Sequence, residues 1–210
     1  MWRVVTLSRV PCGRRETAVS TAVVLTRAPV VVRRLRRADE AQWLRLRRES
    51  KDWLRPWEAT VPPGRPDATI TFAAFVRQER KWWRQQRAFP MVIEVDGDVV
   101  GRVSIGSIQW GAECGASVGY WIRESHAGRG IVPTAVALLS TYAFEQGLHR
   151  LEIAVRPDNA SSVRVAQKLG FRDEGLRRRY LCIDGQWRDH QVFALTADEV
   201  RTGPLWAPGS

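Results

Sequence analysis

The feature that most constrains this chain is a repeated change of hydrophobic period between residues 91 and 195. Met91-Val92-Ile93-Glu94-Val95, the dipeptide Asp96-Gly97 and Val99 to Ile108 read as a β-hairpin, because Asp-Gly tolerates the positive φ that a tight turn requires. A further strand spans Ala116 to Ile122, followed by an apolar helix from Ile131 to Phe144, with Gly147 in the left-handed position that ends helices. Then come a strand Leu151 to Val155 and a short helix Ala160 to Leu169 stopped by Gly170. Two strands, around Tyr180-Leu181-Cys182 and Val192 to Leu195, are joined through Asp184-Gly185. Upstream, Val30 to Leu35 reads as a strand and Asp39 as the N-cap of an amphipathic helix to about Arg48, with Trp43, Leu44 and Leu46 on the inner side. A Trp- and Pro-rich stretch over 53–66 is irregular, and a second helix runs from about Thr71 to Arg87. The order βααβββαβαββ excludes a bundle and a sandwich, and describes a single mixed α/β domain of the α+β kind.

Composition agrees with one core. The chain has 210 residues, 44% hydrophobic and 26% charged, enough for one domain and too few for a two-domain enzyme. The formal charge is +11, but residues 1–37 carry +8 of it and the rest only +3. The expected organisation is a basic extension over 1–29, a domain over 30–196 and a C-terminal tail over 197–210. The extension reads as an extra strand or two, a loose tail, or residues upstream of the natural start. Thirty of the 33 basic residues are Arg, which serves phosphate or carboxylate recognition or reflects codon usage. Cys12, Cys114 and Cys182 show neither CxxC nor metal-ligand spacing. Their odd number argues against a disulfide framework and for a reducing cytoplasm. No apolar stretch approaches the roughly 18 residues that span a bilayer, so no membrane role is expected.

Between the strand ending at Ile122 and the helix beginning at Ile131 lies His126-Ala127-Gly128-Arg129-Gly130. Two glycines at a strand-to-helix junction turn free N–H groups toward one point, and the helix dipole adds positive character, a combination suited to a pyrophosphate. With its neighbours, Ser125 to Gly130 resembles the [QR]xxGxG cofactor motif of the GNAT superfamily of acetyl-CoA-dependent N-acetyltransferases. Asn159-Ala160-Ser161-Ser162 with Lys168-Leu169-Gly170-Phe171, Gly119-Tyr120-Trp121-Ile122, and Trp53-Leu54-Arg55-Pro56-Trp57 are similar to its RimJ/RimL-type branch, which includes ribosomal-protein N-terminal acetyltransferases. Ser125 departs from the motif, leaving Arg129 or Arg123 as substitutes.

The resemblance implies a mostly antiparallel, twisted sheet flanked by helices, and acetyl-CoA as co-substrate without a metal. Pantetheine would lie against Tyr120, Trp121 and Ile122, the phosphates at Ala127, Gly128, Arg129, Gly130 and Ile131, and a backbone N–H near Tyr120 or Trp121 would polarise the thioester carbonyl. Glu152 is the first candidate for the base, its alternative being a strand carboxylate paired with Arg150 or Arg164; Glu113 and His190 are further candidates. Ser162 and Tyr180 are candidate proton donors to the leaving thiolate, and Asn159 a pantetheine contact, while Asn159 and Ser162 equally fit helix capping. Trp53, Trp57 and His190 are expected at the acceptor; Trp82 and Trp83 fit either a groove lid or a core. The expected acceptor is a protein N-terminus such as that of a ribosomal protein, with incidental RNA contact through the basic head, in a monomer or homodimer. A small amine or antibiotic is the alternative acceptor, and a non-catalytic nucleic-acid-binding protein the alternative of another class.

Overall fold

The computed structural model describes residues 23–65 and 70–202. Eight strands form one sheet: β1 (Val24–Arg27), β2 (Val30–Arg33), β3 (Phe89–Val95), β4 (Asp98–Gln109), β5 (Gly115–Ile122), β6 (Arg150–Val155), β7 (Arg172–Ile183) and β8 (Gln186–Thr196). The helices are α1 (Glu40–Glu49), α2 (Lys51–Leu54), α3 (Phe72–Arg84), α4 (Ile131–Glu145), α5 (Ala160–Lys168) and α6 (Ala197–Thr202). The spatial order is β1-β2-β3-β4-β5-β6-β8-β7. Every neighbouring pair is antiparallel except β5 and β6.

Alternation along β3 explains the layering. Met91 and Ile93 enter one core with Leu139 and Ala143 of α4, while Val92 enters a second core with Trp43 and Leu46 of α1 and Val76 of α3. Successive strand side chains point to opposite faces, so this apolar run is covered on both sides. α3 begins where the Thr71 hydroxyl accepts from the Ala74 N–H at 3.2 Å, a side-chain cap. α4 is apolar around most of its circumference because it sits between the sheet and α5.

The sheet continues through β1, the extra-strand reading of the N-terminal segment, since Val24 to Arg27 pair with Arg33 to Val30. The Trp- and Pro-rich stretch opens with α2, and the expected tail opens with α6. The strand around Tyr180 begins at Arg172 and is a 12-residue edge strand. The remainder of the extension, residues 1–22, and of the tail, residues 203–210, lies outside the described residues. Cys182 is a buried free thiol. Cys114 is disulfide-bonded. No helix among the described residues is long and apolar enough to cross a membrane.

Candidate active site

The parallel pairing of β5 with β6 stops after three positions, the last being Ser117 opposite Glu152. β4 stays paired with β5 as far as Ile122. Past Ser117, the N–H and C=O groups of β5 that face β6 therefore have no strand partner, and such groups require one. Two contiguous cavities occupy the opening. One, of about 230 Å³, is walled by Val118, Gly119, Ile153, Ala154 and Val155, with Glu58, Arg156 and His190. The other, of about 380 Å³, reaches Gly128, Gly130 and Ile131 at the start of α4, and Ser161, Arg164 and Lys168 on α5. Leu54, Trp57, Tyr120, Trp121, Asn159 and Ser162 line both.

The larger cavity has the chemistry of a phosphate site. Gly130 caps α4 in the left-handed region at φ +74, with Gly128 at +75 just before it. Side chains avoid that conformation. No side chain caps the helix, so its first N–H groups and the positive end of its dipole face the opening. Ser161, Arg164, Val165 and Lys168 recur at helical spacing along one face of α5 and carry two cations into the same wall. His126 joins them; burial and the neighbouring Arg129 and Arg123 hold its imidazole below the ordinary range, and its Nδ1 lies 3.0 Å from the Ser125 hydroxyl. Arg129, expected at the phosphates, is absent from both walls, and Arg123 is paired with Glu49 at 3.0 Å. The helical spacing from Ser161 to Lys168 was the signal that identified the cations sequence reasoning missed.

A strap closes one side of the opening. The Trp53 indole donates to the Ile122 carbonyl at 3.0 Å, satisfying the end of β5. Arg156, in the loop after β6, donates to the Pro56 carbonyl at 2.8 Å, and its guanidinium lies over the Trp57 ring at 5.2 Å. Trp57 lines both cavities and Trp53 the larger one alone, whereas Trp83 is buried against Phe89 and Tyr142. Trp121 is held from behind by Trp43 at 5.7 Å and by the Arg47 guanidinium at 5.2 Å, and Arg47 reaches on to Glu58 at 2.8 Å.

The catalytic expectations divide. Glu152 lines neither cavity: one carboxylate oxygen accepts from Arg150 at 2.7 Å and the other from Arg177 at 2.9 Å. The carboxylate thus realises the ion-paired alternative with Arg150. Glu113 is exposed on the loop before β5 and outside both walls. Tyr180 is also outside them, its hydroxyl accepting from Arg177 at 3.3 Å and its ring edge-on to His190 at 6.0 Å. Asn159 realises the capping alternative: its Oδ1 accepts from the Ser162 N–H at 3.1 Å and the Ser161 hydroxyl at 2.8 Å. The Ser162 side chain remains at the junction of the two cavities.

Comparison with known proteins agrees with this geometry. The family described as acetyltransferase (GNAT) domain matches residues 30–172. Probable N-acetyltransferase YjcK of Bacillus subtilis is 41% identical over 119 residues, a match spanning 56% of this chain and 66% of that relative. The ribosomal protein uS5-alanine N-acetyltransferase of Escherichia coli is 28% identical over 194 residues, covering 89% of this chain and 94% of the relative. The solved structure of Mycobacterium smegmatis RimJ in complex with CoA-disulfide superposes with a TM-score of 0.76 at 38% identity, over 85% of this chain and 88% of that one.

Proposed function

Starting from a chain that belongs to the GNAT acetyltransferase family, we propose that it transfers the acetyl group of acetyl-CoA to the N-terminal α-amine of a ribosomal protein. The observation that carries the reading is the parting of β5 from β6 beyond Ser117, opposite the uncapped start of α4. Unpaired backbone, an uncapped helix start and two adjoining cavities share one opening, which supports a cofactor cradle beside an acceptor pocket. The acceptor named for the E. coli relative, a ribosomal-protein alanine, supplies the substrate class.

The residues present fit acetyl-CoA. The N–H groups at Gly130 to Val132, with Arg164 and Lys168, hold phosphates, and the exposed edge of β5 around Tyr120 and Trp121 offers the N–H that stabilises an oxyanion. When bound, acetyl-CoA supplies the activated acyl thioester. Trp57 contributes to the walls of both cavities and Trp53 to the larger one. The acceptor cavity, with Glu58 and His190 in its wall, receives the amine. An α-amine titrates near 7.7–8.0 and a lysine near 10.4, so presenting a neutral lysine at pH 7 costs roughly 3.5 kcal/mol more; the N-terminus is the easier acceptor.

Calorimetry with acetyl-CoA tests the cofactor, and no binding in the millimolar range overturns the reading. Labelled acetyl-CoA offered with ribosomal N-terminal peptides, lysine peptides and small amines tests the acceptor: preference for the first supports the proposal, and preference for small amines replaces it. The basic head, taken as an accessory RNA contact in a cytoplasmic setting, is tested by deleting residues 1–22, which leaves β1 in the sheet. Undiminished acetylation of a ribosomal substrate by the shortened chain removes that role.

A further inference from the structure

With Glu152 committed to two arginines outside the cavities, the reaction lacks an assigned group for the proton that leaves the acceptor amine. His190 is 3% exposed and lines the acceptor cavity from β8. Its Nδ1 lies 3.0 Å from the Arg188 carbonyl. A carbonyl only accepts, so Nδ1 carries the hydrogen and the lone pair of the neutral ring is on Nε2. Among the described residues no hydrogen bond engages Nε2.

Resting on the acetyl-transfer reading above, we propose that His190 is the proton acceptor of the reaction, its Nε2 taking the proton released by the α-amine nitrogen as that nitrogen attacks. The amine lone pair forms the C–N bond to the thioester carbonyl carbon, whose π pair moves to oxygen. When that pair returns, the C–S bond breaks and sulfur leaves with its electrons as CoA thiolate. The surplus proton on nitrogen passes to Nε2, and the imidazolium then gives up a proton through water while the thiolate gains one. The products are the amide and the CoA thiol.

The surroundings fit this role. Tyr180 stands edge-on from β7 at 6.0 Å and Arg177 is the register partner of His190. Arg156 and Asp158 face it from the loop after β6, Asp189 adjoins it, and Glu58 shares the cavity wall. Burial, together with Arg156, holds the imidazole below its ordinary value against the opposing pull of the Arg188 carbonyl, Asp189 and Asp158. Such a weak base cannot strip an ammonium; it accepts only once C–N bond formation has made the N–H acidic. The acceptor must therefore arrive neutral, as about a tenth of α-amines but fewer than about one lysine in a thousand do at pH 7. The site so built selects N-termini.

His190→Asn tests it, because the Asn amide keeps a donor for the Arg188 carbonyl and removes Nε2. The expected result is an acetyl-CoA dissociation constant within about twofold of wild type, with kcat toward a ribosomal N-terminal peptide down about a hundredfold or more. In wild type, kcat/KM falls about tenfold per pH unit below the amine pKa, and about a hundredfold per unit once the imidazole also protonates; the variant keeps only the shallower slope. Retained kcat with the steep limb intact overturns the proposal, as does loss of that limb in Glu58→Gln instead. If the variant fails to bind acetyl-CoA, the wild-type limb is compared with the His190 titration followed by NMR. The chain's three histidines are assigned through His126→Asn and His149→Asn. Coincidence supports the proposal and a gap above about one unit overturns it. A wild type that neither binds acetyl-CoA nor acetylates an amine fails the parent reading instead.

Discussion

The Tyr120 hydroxyl donates a 3.2 Å hydrogen bond to the Ser162 carbonyl. Tyr120 stands on β5 after it has left β6, and Ser162 stands in the first turn of α5, so this bond spans the opening that the lost strand pairing creates. Burial pushes the phenol well above its ordinary value, which keeps it a donor throughout the working pH range. Tyr120→Phe removes that tie without changing the ring. Stability should fall by about 1 kcal/mol, a Tm decrease of about 2–4 °C, with a weakened affinity for acetyl-CoA. Thermal unfolding and calorimetry check both, and an unchanged affinity would show that the bond serves stability alone.

Glu152→Gln should leave catalysis nearly untouched. The carboxylate bridges Arg150 and Arg177 on the sheet surface beyond the cavities, so kcat should stay within about twofold and the acid limb of the pH profile should not move. Partly exposed ion pairs of this kind contribute about 0–1 kcal/mol each, which sets the expected loss of stability. A vanished acid limb would return Glu152 to the mechanism.

Glu152 also marks where the sequence stops being legible. Alternation correctly puts it on the face of β6 that carries Ala154, and Ala154 does line the acceptor cavity. Glu152 does not, because β5 and β6 are still paired at that residue and part immediately after it. Where two parallel strands separate is decided by the elements packed on them, and no local pattern records it. Asp96-Gly97 and Asp184-Gly185, by contrast, show through because their turns need positive φ locally, and both hairpins form there. Gly128 and Gly130 were readable for the same reason. β7 was only partly readable: its residues from Arg172 to Tyr180 are exposed on a sheet edge, so no alternation of apolar side chains marks the strand.

Gly101→Ala should damage the site from the other edge of β5, where β4 pairs with it. A Cβ at Gly101 would lie 2.3 Å from the Trp121 carbonyl oxygen and 2.9 Å from the Ile122 Cα, both backbone atoms that cannot rotate away. Overpacking of this kind costs about 1–3 kcal/mol. Relief requires β5 to shift just where Trp121 and Ile122 line the larger cavity. A Tm drop of several degrees with changed Trp fluorescence and weaker acetyl-CoA binding is expected; a variant equal to wild type in all three would mean that the β4–β5 approach is looser than the structure shows.

Asn159 and Ser162 separate capping from chemistry, since the structure gives the first residue's side chain and the second residue's backbone the structural work. Asn159→Ala removes the Oδ1 that accepts from Ser162 N–H at 3.1 Å and should cost about 0.5–2 kcal/mol. Ser162→Ala keeps both the N–H held by Asn159 and the carbonyl held by Tyr120, so its Tm should stay within about 2 °C of wild type. What it removes is a hydroxyl at the junction of the two cavities, where the leaving sulfur must depart. A thiolate is a far weaker base than an alkoxide, so it leaves readily and needs little help from an acid, and kcat should fall by only about tenfold at pH 7. The deficit should shrink as pH rises toward the thiol's own pKa. A Ser162→Ala enzyme with wild-type kcat across that range would leave the residue as a wall, and a loss of Tm equal to that of Asn159→Ala would make its hydroxyl part of the cap.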